Sequence, residues 1–140
     1  MLTCYVCCSM IPAILKKEDD LIGKEILGQF ISAQFDSTSR LGDAMNVVVR
    51  FCTADFVLTT RLTLFITLLA AANGNDTAAV LGRHFLSDLR IPQNLLVSLS
   101  RDSCAVNGVA VRQLAAFYPT TNDILCVSHI LASVGSKVSA

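Results

Sequence analysis

The stretches "QFISAQFD" (residues 29–36) and "NLLVSLSR" (residues 94–101), the second followed at once by Asp102, each run from apolar, strand-like sequence into a carboxylate. Asp36 is in phase with Ser32 and Gln34, and Asp102 with Ser98 and Ser100, so each acid shares a strand face with small polar side chains. Two hard oxygen donors at the ends of neighbouring strands suit Mg²⁺ or Mn²⁺. An ion held there activates a water and stabilises the leaving oxygen in phosphodiester chemistry. Each aspartate also has a plainer role: Asp36 can start a turn, and Asp102 can cap the helix that follows it. The metal role requires that the two acids be neighbours in space; the plainer roles do not.

A second constellation combines Cys4-x-x-Cys7 with Cys126-x-x-His129, a formal zinc-ligand set split between the two ends of the chain. Against a shared zinc stands a buried Cys126 hydrogen-bonded to His129. Arg40 and Arg101 flank the two aspartates and suit either a phosphate or an acidic partner. His84 falls on the polar side of its predicted helix and reads as solvated. No glycine-rich phosphate loop, nucleophile elbow or HExxH motif is present.

The elements that must position these groups follow from hydrophobic period. Residues 1–12 read as a loosely ordered lead-in, and residues 13–140 as a single domain. Residues 13–27 place Ile14, Leu15, Leu21, Ile22, Ile26 and Leu27 between charges, as on an amphipathic helix that Gly28 ends. Alternation then predicts three short-linked strands: one ending at Asp36, one over residues 45–52, and one over residues 56–66 with Phe56, Leu58, Leu62, Leu64 and Ile66 in phase. In "NGND", Asn75 or Asp76 suits the N-cap of a helix whose core stripe is Ala78, Leu81, Phe85 and Leu89. "NLLVSLSR" is the fourth strand. The helix after Asp102 aligns Val106, Ala110, Leu114 and Phe117, "DILCVSH" is the fifth strand, and a short helix closes the chain.

The order after the first helix is β-β-β-α-β-α-β. A meander followed by helical crossovers predicts an α/β fold with a mixed five-stranded sheet and helices on both faces. Ligands of such sheets bind at strand ends near the topological switch point, here between the first and fourth strands. Composition agrees with a packed domain: 140 residues, 53% hydrophobic and 16% charged. Eleven basic and eleven acidic residues leave no domain-wide basic field for nucleic acid. Mean hydropathy is +0.58, yet the longest apolar run, "LTLFITLLAAA", has eleven residues, far short of the roughly 20 that cross a bilayer. No membrane partner and no signal peptide are expected, and six dispersed cysteines point to a reducing compartment.

The blocks "FDSTSRLGDAMNVVVRF", "RDSCAVNGVAVRQL" and "FYPTTNDILCVSHILASVGSKV" resemble the catalytic core of hAT-type DNA transposases. The similarity is to a transposon-derived branch with "FDGTxRLGEA" before the second strand and "MRDxASVN" after the fourth, and it runs from about Ile11 to Val138. It implies a ribonuclease-H-like fold, DNA as partner, a nuclear location and Mg²⁺-dependent DNA cleavage and strand transfer. By the same resemblance, Asp36 and Asp102 match the first two acids of the metal triad, while Asn107, Cys126 and His129 hold further motif positions. The departures are as specific. Ser37 stands where the branch has glycine, and the late glutamate is missing: Glu18 and Glu25 lie upstream, and Asp123 opens a strand. The expectation is a truncated core with a vestigial Asp36/Asp102 metal site and little catalysis of its own. The rival expectation is a non-catalytic scaffold that binds DNA, a protein or a second copy through exposed apolar surface.

Overall fold

Alternation in three consecutive stretches folds the first half of the chain into a meander, and everything else is laid against it. The computed structural model describes residues 2–38, 44–68 and 73–138. Its elements are α1 (Leu2–Glu25), β1 (Ile31–Thr38), β2 (Ala44–Cys52), β3 (Leu58–Leu68), α2 (Gly74–Arg83, continued by a π-helical turn His84–Asp88), β4 (Leu96–Arg101), α3 (Ala105–Leu114), β5 (Asn122–Leu125) and α4 (Val127–Val138). They form one five-stranded mixed sheet in the order β3-β2-β1-β4-β5. β1–β2 and β2–β3 are antiparallel, whereas β1–β4 and β4–β5 are parallel.

The core lies on one face of this sheet. Ile31, Ala33 and Phe35 of β1, Met45, Val47, Val49 and Phe51 of β2, and Leu96 and Leu99 of β4 are buried there. Ile22 and Ile26 at the end of α1, Leu81 of α2, Phe85 and Leu89 beyond it, and Val111 and Leu114 of α3 join the same cluster. Helices on both faces were the expectation; among the described residues the helices that enter the core share one face, and no α4 side chain belongs to it. The other face carries Ser32, Gln34, Asp36, Arg50, Ser98 and Ser100. Apart from the Ser32–Ser98 contact, where Ser98 is itself buried, these side chains stay partly or fully exposed.

Several local readings change for identifiable reasons. α1 starts at Leu2, ahead of the predicted start at residue 13, and passes through Pro12. Among the described side chains, Ile14, Leu15, Leu21 and Leu27 are exposed while Ile22 and Ile26 are buried. Gly28, at φ +75°, ends the helical segment as anticipated. In β3 the phase flips. Leu62 pairs with Val48 but Leu64 with Val47, so the extra residue, Thr63, is a bulge. Leu58 and Leu62 therefore sit on the open face, while Leu64 packs against the core.

The cap of α2 is Asn73, ahead of both predicted residues; its side-chain oxygen accepts from the N–H groups of Asn75 (3.0 Å) and Asp76 (2.9 Å). Gly74 beside it is required by close approach, because a Cβ there would lie 2.5 Å from Val109 of α3. The predicted stripe Ala78, Leu81, Phe85 and Leu89 is buried throughout. His84 is the surprise. The π-helical turn widens the inward arc of the helix, so His84 and Phe85 both point inward and His84 is 1% exposed. Its Nε2 lies 2.9 Å from Thr63 Oγ1 and its Nδ1 lies 3.3 Å from Asp88 Oδ2. A neutral ring that donates from Nδ1–H to Asp88 accepts at Nε2 from the Thr63 hydroxyl, whose one proton is then shared between Nε2 and Val47 O at 3.4 Å. Arg90, at φ 55°, turns the chain out of the helix. α3 is shorter than its pattern: Phe117 is 49% exposed, and the neighbouring Tyr118 is buried instead. The Tyr118 hydroxyl donates to Ile91 O at 3.1 Å, and burial pushes its pKa up to about 12.

Burial holds the His84 imidazole below its ordinary 6.5, against the opposing pull of Asp88 and with a smaller contribution from Arg83. A histidine favoured neutral in the folded state stabilises the fold above the unfolded value, and that contribution drains as pH falls through the folded one. Asp19 acts with the opposite sign. Burial and the charges of Asp88 and Asp20 raise it from 3.8 to about 6, so its contribution is complete below 3.8 and is lost as pH rises through about 6. Urea midpoints followed from about pH 8 to about pH 5 should therefore fall more steeply below pH 6.5 in the native protein than in His84→Gln, by at most about 1.4 kcal/mol per pH unit. Parallel curves would place the acid sensitivity elsewhere.

Candidate functional site

The parallel pairing of β1 with β4 decides where the two aspartates go. Their register matches Ser32 with Ser98, Ala33 with Leu99, and Gln34 with Ser100. The bridged pairs end at Gln34–Ser100, two residues short of Asp36 in β1 and of Asp102 just beyond β4, so the pairing carries both acids toward the same rim. Ser98 Oγ donates to Ser32 Oγ at 2.7 Å, which fixes the shared face of the two strands below the acids. On the far side of β4 the register matches Arg101 with Leu125, and Cys126 N donates to Arg101 O at 2.7 Å. Asp36, Asp102 and Cys126 thus lie in a row at the C-terminal rim of three adjacent parallel strands, with His129 in the first turn of α4.

The N-cap of α3 is Cys104, with no side-chain cap bond, so Asp102 does not cap the helix; two residues ahead of Cys104, its carboxylate ties down the turn that leads in. Its Oδ1 accepts from Cys104 N at 2.9 Å and from Asn107 Nδ2 at 2.7 Å. The carboxylate is thereby clamped between the start of α3 and a side chain one turn further on. Asn107 is fully buried, and its amide orientation follows from Asp102, since only the NH₂ end can face a carboxylate oxygen. The opposite end, Oδ1, is buried without a hydrogen-bond partner. Arg101 packs its guanidinium over Gly108, donates to Asp102 O at 3.0 Å, and forks onto Asp123 at 2.8 and 2.7 Å. Asp123 is therefore the partner of an arginine, and its strand position faces away from the two rim aspartates. Glu25 is bound to Arg61 at the opposite edge of the sheet.

Cys126 and His129 interact as the sequence suggested, but in a different setting, because Cys126 is partly exposed rather than buried. The His129 side chain and the backbone N–H groups of His129 and Ser128 favour the thiolate, bringing Cys126 from 9.0 down to about 7. Reciprocally, the hydrogen bond to Cys126 raises His129 above its ordinary value, and the negative charges of Asp36 and Asp102 add to the rise. The two shifts work together, favouring loss of the proton from Cys126 and its retention on His129, with Asp36 and Asp102 adding to the second. Among the described residues no group of three or more His, Cys, Asp and Glu is arranged to hold a metal ion. The side chains of Cys4 and Cys7, and all of Arg40, lie outside the described residues, so the shared zinc set and one of the two flanking arginines fall there too.

No protein-family model matches the chain, and neither does any curated protein sequence. Among the described residues no helix is long and apolar enough to cross a membrane. What sequence reasoning missed at the rim is the support around Asp102: the Asn107 clamp and the Arg101–Asp123 fork. The five-residue step from Asp102 to Asn107, spanning a helix start, was the available signal for the first.

The thiol environment has a direct readout. Alkylation of Cys126, resolved from Cys52 and Cys104 by peptide mass spectrometry, should rise with pH about a midpoint near about 7. In His129→Ala the midpoint should move up toward 9.0, because the largest stabiliser of the thiolate is gone. An unchanged midpoint would show that the two side chains do not interact.

Proposed function

We propose that the chain is the core of a hAT-type DNA transposase with a ribonuclease-H-like fold, retaining two of three metal-binding acids. The observation that carries the reading is positional: Asp36 lies near the C-terminal end of β1 and Asp102 just beyond that of β4, two neighbouring parallel strands of a sheet ordered β3-β2-β1-β4-β5. Adjacent strands lie roughly 5 Å apart, so carboxylates in matching register come within reach of a single cation. The residues fit Mg²⁺ or Mn²⁺ in type, since such ions are commonly held by one or two carboxylates and keep several waters. Asp36 and Asp102 would hold the ion, which supplies Lewis-acid activation of water and charge stabilisation at a phosphodiester. The chain itself contributes positioning: Cys104 N and Asn107 fix one oxygen of Asp102 and leave the other for a ligand.

DNA cleavage by this chain alone is not expected. Asp123 is consumed by Arg101, Glu25 by Arg61, and no third acid among the described residues joins the rim. DNA as partner and a nuclear location belong to this same reading. The rival reading keeps the fold as a non-catalytic scaffold.

Titration with Mn²⁺ or Mg²⁺ separates the two. Calorimetry on the native chain should show weak binding, and Asp36→Asn and Asp102→Asn should each weaken it by about tenfold or more, as expected when one of two charged ligands is removed. The Asp102→Asn change keeps an oxygen that can accept from Cys104 N, so the turn ahead of α3 survives and the loss reports on the ion. Equal heats in all three proteins would leave the scaffold standing.

A further inference from the structure

β3 is the longest strand of the sheet and lies at its edge, with β2 on one side only. Natural edges of this kind are usually blunted by Lys, Pro or a bulge. The bulge at Thr63 protects the far half of β3, but Leu58–Leu62 runs in unbroken register with β2, from Leu58 opposite Cys52 to Leu62 opposite Val48. That stretch contains neither Lys nor Pro. Its single charge, Arg61, is neutralised within the chain by a two-pronged contact to Glu25 at 2.9 and 3.2 Å. Leu58 and Leu62 are 72% and 50% exposed on the open face, and Phe56 at the hairpin tip is held at φ 60° with 91% exposure.

We infer that β3 pairs antiparallel with β3 of a second copy over Leu58–Leu62, joining two sheets about a twofold axis at Thr60. The stretch is self-complementary in that register. Leu58 meets Leu62 of the other copy on the open face, twice by symmetry, and Thr60 meets its own counterpart. Arg61 faces Thr59, so the two arginines are never directly opposite and each keeps its glutamate. An identical edge supplies the matching length and the row of backbone donors and acceptors that β3 lacks on its outer side. β5, the other edge, has four residues and lacks this symmetry. The inference is independent of the metal reading, since it involves no residue of the rim.

Sedimentation equilibrium of the full chain should show a reversible, concentration-dependent dimer. Leu62→Lys should weaken it by about tenfold or more, the scale of losing two symmetry-related cross-strand pairs, while Leu131→Lys on the exposed side of α4 should leave it unchanged. Amide exchange in the unmutated chain provides a second measure: protection over residues 58–62 should rise with protein concentration. A monomer at every concentration, a dimer indifferent to Leu62→Lys, a dimer lost instead in Leu131→Lys, or exchange independent of concentration would each overturn the proposal.

Discussion

Where β1 lies beside β4, two strands separated by the rest of the meander and all of α2 run in the same direction, joined at their centre by the Ser32–Ser98 hydroxyl contact. Every feature of the rim depends on this pairing. It carries Asp36 and Asp102 toward the same rim, and the next parallel pair extends that rim to Cys126. A slip of one residue would turn one aspartate to the opposite face of the sheet, because side chains alternate with a period of two. The buried side prevents the slip: Ala33 and Leu99 are register partners within the core, and shifting either strand would expose apolar groups to water.

That buried side also explains which parts of the fold could be read from the chain. The strands and the core stripe of α2 follow from period alone, because a half-buried element must place its apolar residues on one side. Ala78, Leu81, Phe85 and Leu89 behave accordingly. The misreadings occur where regular period is broken by one residue. The bulge at Thr63 reverses the phase of β3, and the π-helical turn brings His84 inward. Neither has a strong local signature, since each is the response of the backbone to packing. Thr63 and His84 are in fact partners, bonded at 2.9 Å, so the two irregularities accommodate each other across the layer. The distribution of helices over the two faces was illegible for another reason: α4 has a clear apolar side, Val127, Ile130, Leu131 and Val134, yet those residues are exposed.

At the rim, residue types and their order were legible and the supporting contacts were not. Asp36, Asp102, Cys126 and His129 can be picked out because each interrupts or follows an apolar run, and topology then brings them together. The choice between cap and ligand for Asp102 could not be made from sequence, and in the structure Asp102 holds the turn ahead of α3 while Cys104 takes the N-cap position. One oxygen is engaged by Cys104 N and Asn107. Asn107 was visible only as a motif position, since its hydrogen bond depends on the turn between β4 and α3. The pairing of Arg101 with Asp123 was likewise one of several open options until β5 was placed beside β4.

The hydroxyl contact between Ser32 and Ser98 joins residues 66 positions apart, whereas β1, β2 and β3 follow one another closely along the chain. Closing a long loop costs more chain entropy than closing a hairpin. The antiparallel half of the sheet can therefore assemble from near neighbours, while the acidic rim exists only after α2 has carried β4 back to the middle. In a chain emerging from the ribosome, Asp102 and Cys126 are made well after Asp36, so the rim is among the last features to mature.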